Sequence, residues 1–261
     1  MTAIGTVLKA AESAGDCANC PVWELTLYGV PDGQKSMLQQ LRKECRMVRA
    51  GRTIYGAGSP TDEIFTLFAG WAFRYKLTAK GERQILSFLL PGNPIGLPLL
   101  RFDRLPCSIQ ALTDVSLCVF PRTALAEYLA SEPELLAQRD GTIFREVFVL
   151  DEFLVNLGRR TGYERMARFI LEIYWRLRHR NATRDASFEF PLKQQHLADA
   201  LGLSAVHVGR IFAELQGEQL VTLDRGRLSI LDLQLLQRAA AIDEREPQGG
   251  SILASGRQTR Y

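Results

Sequence analysis

The sequence has few of the residues with which metalloenzymes build active sites. It contains three histidines, His179, His196 and His207, all in the last third of the chain. A cupin-type enzyme needs histidines on its barrel strands to hold a metal ion, and the strand-like first half of this chain has none. The chain also lacks a glycine-rich phosphate loop and a paired nucleophile and base. We therefore expect a binding protein rather than an enzyme.

Long apolar segments are missing as well. No uninterrupted apolar run approaches the roughly 18 residues of a membrane span, and the N-terminus has no basic start followed by an apolar stretch. These features predict a cytoplasmic protein without a membrane partner. The cysteines are five in number, and an odd count without a leader argues against a disulfide scaffold. They are Cys17, Cys20, Cys45, Cys107 and Cys118.

The basic residues are unevenly distributed, although the formal net charge is only +3. Residues 159–230 contain twelve Arg or Lys and eight Asp or Glu. A basic C-terminal half is compatible with nucleic-acid binding, but a solvated basic surface would show the same excess. Charge therefore permits a DNA-binding function without specifying it.

Residues 47–120 show the pattern of an antiparallel β-domain. Short apolar or alternating runs are separated by turn residues about every 8–12 positions, as in a β-sandwich or barrel. Residues 74–88 predict a hairpin with its turn at Lys80-Gly81. The glycines that separate the runs are Gly51, Gly58, Gly70, Gly81, Gly92 and Gly96.

From Glu132 onwards the apolar period becomes helical. The apolar residues follow at intervals of seven, four, three, four and three, which forms a narrow seam along one long helix. The seam residues are Leu136, Ile143, Val147, Leu150, Leu154 and Leu157. Such a seam is typical of a coiled-coil dimer interface, although an amphipathic helix lying on its own domain would share the pattern. Phe144 and Phe148 lie beside the seam and are expected to pack on the β-domain.

The helical pattern breaks near residues 158–162, which predicts an inter-domain hinge. A helix over residues 163–180, a short strand within residues 187–192 and two short helices follow. Gly202 suits the tight turn between the two short helices, and Ser204 is placed to cap the second one. This second helix carries one apolar stripe at i, i+3, i+4 and i+7. The stripe consists of Val208, Ile211, Phe212 and Leu215.

The second short helix has the layout of a DNA-reading helix. Its outward face carries Arg210, which can donate two hydrogen bonds to a guanine, beside small apolar side chains that suit thymine methyl groups. The following hairpin, with Arg225-Gly226 at its tip, would contact the DNA backbone as a wing. The predicted DNA-binding residues are Gln195, Ser204, Ala205, Val206, His207, Arg210, Arg225 and Arg227. The alternative is an ordinary helical hairpin in a protein-interaction module, with Arg210 as a solvated charge.

The glycine-punctuated β-domain, the seam helix and the stretch "LADALGLSAVHVGRIFAELQGEQLV" together resemble the Crp/Fnr family of bacterial transcription regulators. The resemblance covers about residues 30–235 and is most specific at Val208–Ile211. It implies an α+β chain with an N-terminal antiparallel double-stranded β-roll (jelly-roll), a long dimerisation helix and a C-terminal winged helix-turn-helix. It also implies a homodimer that reads a palindromic operator in double-stranded DNA, responds to an effector through the roll and contacts RNA polymerase.

The expected organisation has five parts. They are an N-terminal arm (1–30), a sensory β-roll (31–131), a dimerisation helix with its hinge (132–160), a winged helix-turn-helix domain (161–245) and a flexible tail (246–261). Within the roll segment, a first helix is predicted over Asp32–Cys45, where apolar residues recur at helical spacing. These residues are Met37, Leu38 and Leu41.

The chain departs from the family at the cyclic-nucleotide site. Family members that bind a cyclic nucleotide carry a Gly-Glu pair and an Arg-Ser pair that hold the ribose and the phosphate. Here Leu97 and Pro98 follow Gly96, and the second pair is replaced by Leu105-Pro106. No charge-assisted contact to a phosphate is evident. We therefore do not expect cAMP to bind.

The predicted reading helix departs from the family too. Val206 replaces the glutamate that is common there, and Gly209 replaces the serine of the oxygen sensors. Of the usual base-reading trio, Arg210 alone is kept. The operator is therefore expected to differ from the standard half-site.

The oxygen sensors of the family hold a [4Fe–4S] cluster with three N-terminal cysteines and one in the roll. Cys17 and Cys20 have C-x2-C spacing and Cys118 stands at the roll position, so these three are the candidate metal ligands. The third N-terminal position is Thr26, which is not a usual cluster ligand. The role of the cysteines stays open between an Fe–S cluster, a thiol-based redox switch or other metal, and an inherited pair without function. The effector stays open between an unknown small molecule and a redox signal. The resemblance is closer to the Fnr-like than to the cAMP-binding branch.

Overall fold

The computed structural model describes Cys20 and residues 35–242. The predicted tail and, apart from Cys20, the predicted arm lie outside the described residues, and so does Cys17. The chain divides into two compact units between Ile143 and Phe144, a point inside the segment 132–160 that is predicted to form the dimerisation helix. The N-terminal unit is built on strands and the C-terminal unit mainly on helices.

Two four-stranded antiparallel sheets form the N-terminal unit. Their strands are β1 (Glu44–Val48), β2 (Thr53–Tyr55), β3 (Glu63–Ala69), β4 (Ala72–Leu77), β5 (Arg83–Leu89), β6 (Pro94–Ile95), β7 (Ser108–Ala111) and β8 (Val115–Pro121). One sheet has the order β1-β8-β3-β6 and the other the order β2-β7-β4-β5. Each pairing is antiparallel. The β-domain predicted over residues 47–120 is therefore confirmed.

Left-handed glycines allow the chain to turn between these strands. Gly81 has a φ of 82° in the turn between β4 and β5, and its backbone nitrogen donates to the carbonyl of Thr78 at 2.9 Å. The hairpin turn predicted at Lys80-Gly81 is thus confirmed. Gly70 is required for a second reason, because a Cβ at this position would lie 2.3 Å from the carbonyl oxygen of Asp114.

The first helix is shorter than predicted. It spans Lys35–Leu41 (α1), so the prediction of a helix reaching Cys45 is wrong at its C-terminal end. Cys45 lies in β1, where it pairs with Cys118 of β8. Cross-strand pairing satisfies the backbone groups of this segment and overrides the local helical periodicity.

A second helix, α2 (Arg122–Ser131), precedes the long one. The helical region therefore begins at Arg122. The periodicity predicts a start at Glu132, so that prediction is wrong. The buried residues of α2 are Leu125, Tyr128 and Leu129. They fall at i, i+3 and i+4, which is helical spacing. Three large apolar side chains in ten residues are too few to distinguish a helix from the neighbouring strands by sequence pattern.

Strand β8 is buried on both faces. Val115, Leu117 and Val119 belong to a core that also contains residues of the second sheet. Cys118 and Phe120 belong to a different cluster, which includes residues of α1 and α2. Because side chains alternate along a strand, β8 separates these two cores and contributes side chains to both.

The long helix α3 spans Pro133–Arg159 and confirms the predicted seam helix. The next helix, α4 (Gly162–Arg178), begins after the predicted break. Thr161 and Glu164 form a capping box there, since the Thr161 backbone nitrogen donates to the Glu164 carboxylate at 2.7 Å and the Glu164 backbone nitrogen donates to Thr161 Oγ1 at 3.3 Å. This capping box fixes the first turn of α4 directly after the break at residues 160–161.

The rest of the C-terminal unit combines short helices with a small sheet. Its elements are β9 (Ser187–Glu189), α5 (Gln194–Leu201), α6 (Ala205–Gly217), β10 (Val221–Asp224), β11 (Arg227–Ile230) and α7 (Leu233–Ala239). The three strands form a sheet in the order β10-β11-β9. All of these elements except α7 are predicted from the sequence. Within residues 35–242, each helix is too short or too polar to cross a lipid bilayer.

Candidate DNA-binding interface

Helices α5 and α6 are joined by a tight turn. Gly202 has a φ of 65° and a ψ of 39°, and its backbone nitrogen donates to the carbonyl of Ala198. Ser204 begins α6 by accepting a hydrogen bond from the backbone nitrogen of His207 at 3.2 Å. Both predicted local roles are therefore observed, the glycine in the left-handed turn and the serine at the helix cap.

Helix α6 separates buried from exposed side chains as its period predicts. The buried residues are Val208, Ile211, Phe212 and Leu215. On the other side, Val206 is 84% exposed and Arg210 is exposed, while Ala205 is half-buried. Val206 and Arg210 are four residues apart, so they share one stripe of the helix surface. This stripe presents methyl groups and a guanidinium in the N-terminal half of α6.

His207 differs from the expectation of an outward side chain. It is half-buried, and its Nε2 lies 3.4 Å from the position that a Cβ on Gly162 would occupy. The ring therefore packs against the first turn of α4. His207 thus lies on the side of α6, between the exposed stripe of Val206 and Arg210 and the buried stripe that begins at Val208.

The two adjacent glutamines of α5 have different surroundings. Gln195, the predicted phosphate contact, is exposed, but its amide donates to Asp199 at 2.6 Å. Gln194 lies at the crossing with α6, where its Nε2 is 3.1 Å from the position of a Cβ on Gly209. The sequence analysis missed Gln194. Gly209 could have indicated this contact from the sequence. A glycine inside a helix lowers stability, so its presence suggests that a neighbouring side chain packs too closely for a Cβ.

The β10–β11 hairpin has the tip that the sequence predicts. Asp224 pairs with Arg227, and the two residues between them, Arg225 and Gly226, have φ values of 47° and 76°. Two left-handed residues in a two-residue loop define a type I′ turn. Arg225 is exposed at this tip, whereas Arg227 is half-buried.

The half-buried Arg165 joins α4 to the end of α5. The Arg165 side chain of α4 donates from Nε to the carbonyl of Arg160 at 3.0 Å and from Nη1 to the carbonyl of Leu201 at 3.0 Å. The second bond places a positive charge on the C-terminal carbonyls of α5, where the helix dipole favours it. Arg165 thus orients α5 and the turn that follows, a role that the sequence pattern did not indicate.

Helix α3 carries an exposed apolar face. Of the predicted seam residues, those exposed in the single chain are Ile143, Val147, Leu150 and Leu154. Leu136 and Leu157 are half-buried, and Leu157 Cδ2 lies 3.6 Å from the position of a Cβ on Gly202. Phe144 and Phe148 are also exposed. Their expected packing on the β-domain stays a prediction, because both residues belong to the other compact unit.

The corner of the roll that follows β6 is apolar. Leu97–Leu100 form a 3₁₀ turn, and Leu105 is buried in the core that the two sheets share. The charged residues of this corner, Arg101, Asp103 and Arg104, are exposed. Since no charged side chain of the described segment 92–107 is buried here, the residues present do not fit the phosphate of a cyclic nucleotide.

Cys20 and Cys118 lie on the side of β8 that faces the helices. Cys118 is part of the cluster with α1 and α2, and Cys20 packs against this cluster. A hydrogen bond from Cys118 lowers the pKa of Cys45 to about 6; burial opposes this shift, while Ser116 and Arg42 add to it. Within the described residues no group of three or more potential metal ligands occurs. A metal site that includes Cys17 stays a prediction, because Cys17 lies outside them.

The β-roll, the long helix and the winged helix-turn-helix together define a class of DNA-binding regulator. The chain matches the Crp-like helix-turn-helix domain over residues 164–239 and the cyclic nucleotide-binding domain over residues 45–132. It is 30% identical over 192 residues to the nitrogen fixation regulation protein FixK of Bradyrhizobium diazoefficiens, covering 74% of this chain and 80% of FixK.

Two further comparisons agree with this class. The transcriptional activator protein Anr of Pseudomonas aeruginosa is 26% identical over 228 residues, covering 87% of this chain and 93% of Anr. The structure of FixK2 from Bradyrhizobium japonicum has a TM-score of 0.70 at 23% identity, covering 77% of this chain and 98% of that one. The chain belongs to the Crp/Fnr family, with relatives in its Fnr-like branch. It is a DNA-binding transcription regulator rather than an enzyme.

Proposed function

We propose that the protein acts as a homodimer that reads a palindromic operator, with α6 of each protomer in the major groove. The observation that carries this proposal is the exposed stripe of Val206 and Arg210 on a helix whose opposite side is buried. Arg210 would donate to a guanine edge, and Val206 and Ala205 would contact thymine methyl groups. Ser204 and His207 would lie at the groove edge, near the phosphates.

The wing and α5 would contact the DNA backbone on either side of α6. Arg225 stands exposed at a type I′ turn, which suits a phosphate contact that fixes the register of the domain. Arg227 and Gln195 would contribute weaker contacts, because Arg227 is half-buried and the Gln195 amide is bonded to Asp199. Base readout would then come from α6 and positioning from the remaining residues.

Dimerisation is supported by the apolar face of α3. A continuous row of exposed large apolar side chains is unfavourable in water. Its spacing at intervals of three and four residues is typical of a coiled-coil seam. The seam residues, Leu136, Ile143, Val147, Leu150, Leu154 and Leu157, would pair with those of a second copy. The two α6 helices would then lie about 34 Å apart, one helical turn of DNA.

In this proposal residues 31–131 sense an effector, residues 132–160 carry the signal and residues 161–245 bind DNA. The dimer on its operator would act on RNA polymerase, and the protein would work in the cytoplasm. We expect an effector other than a cyclic nucleotide, because the position that the family resemblance assigns to a phosphate-binding arginine holds Leu105, which is buried and uncharged. Calorimetric titration with cAMP is expected to give no saturable heat.

The dimer proposal is tested by Leu154→Asp, with Leu77→Asp as the matched control. Both leucines are exposed, at 66% and 61%, but Leu77 is the last residue of β4 and is not part of the seam helix. Leu154→Asp should shift the protein to a monomer in sedimentation equilibrium and abolish retention of a symmetric operator selected from a duplex library. Leu77→Asp should change neither measurement. A Leu154→Asp variant that stays dimeric and binds with native affinity contradicts the proposal.

A second candidate is an oxygen- or redox-responsive form of the same regulator. This candidate is favoured because Cys20 packs against the hydrophobic core cluster that contains Cys118. Together with Cys17, these thiols would hold an iron–sulfur cluster, which supplies sensitivity to oxygen when bound. The ultraviolet–visible spectrum and iron content of anaerobically purified protein test this candidate. A colourless, iron-free sample would rule out the iron–sulfur form of this candidate and leave a thiol switch or a small-molecule effector.

A further inference from the structure

We propose that Cys45 and Cys118 form a redox-active dithiol that closes to a disulfide between β1 and β8. The two residues are direct partners in the antiparallel register of these strands. Cα atoms of directly opposed residues are about 4.5 or 5.5 Å apart, and both separations fall within the range of about 4.4–6.8 Å that a disulfide spans. The strands therefore hold the two thiols ready to join without a change of register.

The side chains meet on the same face of the sheet. Opposed residues in an antiparallel pair point to the same side, which here is the side of α1 and α2. The Cys118 thiol hydrogen-bonds the Cys45 thiol, and Cys45 Sγ also lies 3.2 Å from Ser116 Oγ. Both thiols are reduced in this structure. The two side chains thus lie side by side on one face of the sheet.

Exposure assigns the order of events. Cys45 is half-buried on β1, the outermost strand of its sheet within the described residues, whereas Cys118 is buried on the internal strand β8. A hydroperoxide therefore reaches Cys45 first, and Cys118 acts as the resolving thiol. Cys107 is buried in the core between the two sheets and provides an internal control.

The reaction needs one equivalent of hydrogen peroxide. The Cys45 thiolate attacks one peroxide oxygen, the O–O bond breaks, and a sulfenic acid forms while hydroxide leaves and takes up a proton. The Cys118 sulfur then attacks the Cys45 sulfur, the S–S bond forms and the S–O bond breaks. The departing hydroxide takes the Cys118 proton. In total, two thiols lose two electrons and two protons, and peroxide becomes two molecules of water.

The bond would join β1 covalently to the strand that leads into α2 and α3. β8 ends at Pro121 and α2 begins at Arg122. Any effect on operator binding rests on the proposed function, but formation of the disulfide does not. The test therefore maps the bond itself, so a failure of DNA binding and a failure of this inference are distinguishable.

The test uses the full-length protein, purified anaerobically and treated with hydrogen peroxide before alkylation and digestion with trypsin and Asp-N. This digestion separates Cys45 on Glu44–Arg46, Cys107 on Leu105–Thr113 and Cys118 on Asp114–Arg122. The expected product is a disulfide between the first and third peptides. The Cys45 thiol should be lost about tenfold faster than that of Cys107, which is less accessible.

Serine variants identify the roles of the two thiols. Cys118→Ser should leave Cys45 as a sulfenic acid that dimedone captures, and Cys45→Ser should protect Cys118 from oxidation. Cys107→Ser is the matched control and should form the bond like the unmodified protein. A Cys118 that links to Cys17 or Cys20, or one that stays reduced or iron-bound after peroxide, overturns the inference. The unmodified protein decides this point even if a variant does not fold.

Discussion

Gly162, the first residue of α4, approaches Ile211 of α6 so closely that a Cβ on the glycine would lie 2.9 Å from Ile211 Cδ1. The sequence marks Gly162 only as part of a break between two helices. In the folded chain it is a packing contact between the start of α4 and the buried side of α6. The half-buried ring of His207 rests on the same glycine.

Gly162→Ala is therefore expected to destabilise the protein by about 1–3 kcal/mol, the usual cost of an extra group in a packed core. Gly158→Ala is the matched control, since a Cβ there meets nothing within 4 Å. It should be neutral or stabilise by up to about 1 kcal/mol, as alanine does in a helix. Urea denaturation of both variants measures the difference. Equal stabilities would show that Ile211 moves aside without strain.

Arg210→Ala should weaken binding to the specific operator by about 1–3 kcal/mol and binding to random DNA hardly at all. The physical reason is that a guanidinium directed at a base edge contributes only where the base matches. Arg225→Ala provides the contrast, because a wing contact to phosphate should weaken both kinds of binding and reduce the salt dependence. Fluorescence anisotropy on the two duplexes at several salt concentrations measures both. If Arg210→Ala lost as much on random DNA, Arg210 would be a phosphate contact.

Glu63→Gln should lower the free energy of unfolding at pH 7 and have little effect in strong acid. Hydrogen bonds from Arg46 lower the pKa of Glu63 to about 2, with a further contribution from Lys43. A lowered carboxyl pKa contributes stability above the unfolded value of about 4.3, and this stability is lost as the pH falls towards 2.

The loss at pH 7 should be about 1–2 kcal/mol, because the partners Arg46 and Lys43 are 37% and 57% exposed and solvent screens them. Glu82→Gln, at the exposed hairpin turn, is the control and should change little. Urea denaturation between pH 2 and pH 7 follows the difference between the variants. A difference that stays constant over this range would exclude Glu63 ionisation as its source.

The alkylation rate of Cys45 by iodoacetamide should rise with pH around a midpoint near 6. The thiolate is the reacting form, so the rate follows its fraction. Ser116→Ala removes one hydrogen bond to Cys45 and should move the midpoint upward. Mass spectrometry of the alkylated peptides after short reaction times provides the rates. A midpoint near the ordinary thiol value of about 8.5 would show that Cys45 is not activated.

The amino-acid sequence alone determined the order and type of most elements, because helical and strand periods are local properties of the chain. The stripe of α6, the Gly202 turn, the Ser204 cap and the Arg225-Gly226 tip all follow from residues within a few positions of one another. Helical periodicity gave a wrong prediction where strand pairing with a distant segment competed with it. Cys45 continues a helical period, yet it joins β1 because β8 satisfies its backbone groups.

The tertiary structure decided which of these residues meet. It places Gln194 rather than Gln195 against Gly209, turns His207 towards Gly162 and sets Cys45 opposite Cys118. Cys45 and Ser116, which share a hydrogen bond, are 71 positions apart in the chain. A period of 3.6 or 2 residues shows which face of an element is buried. It does not show what lies against that face, because register and packing depend on segments far away in the chain.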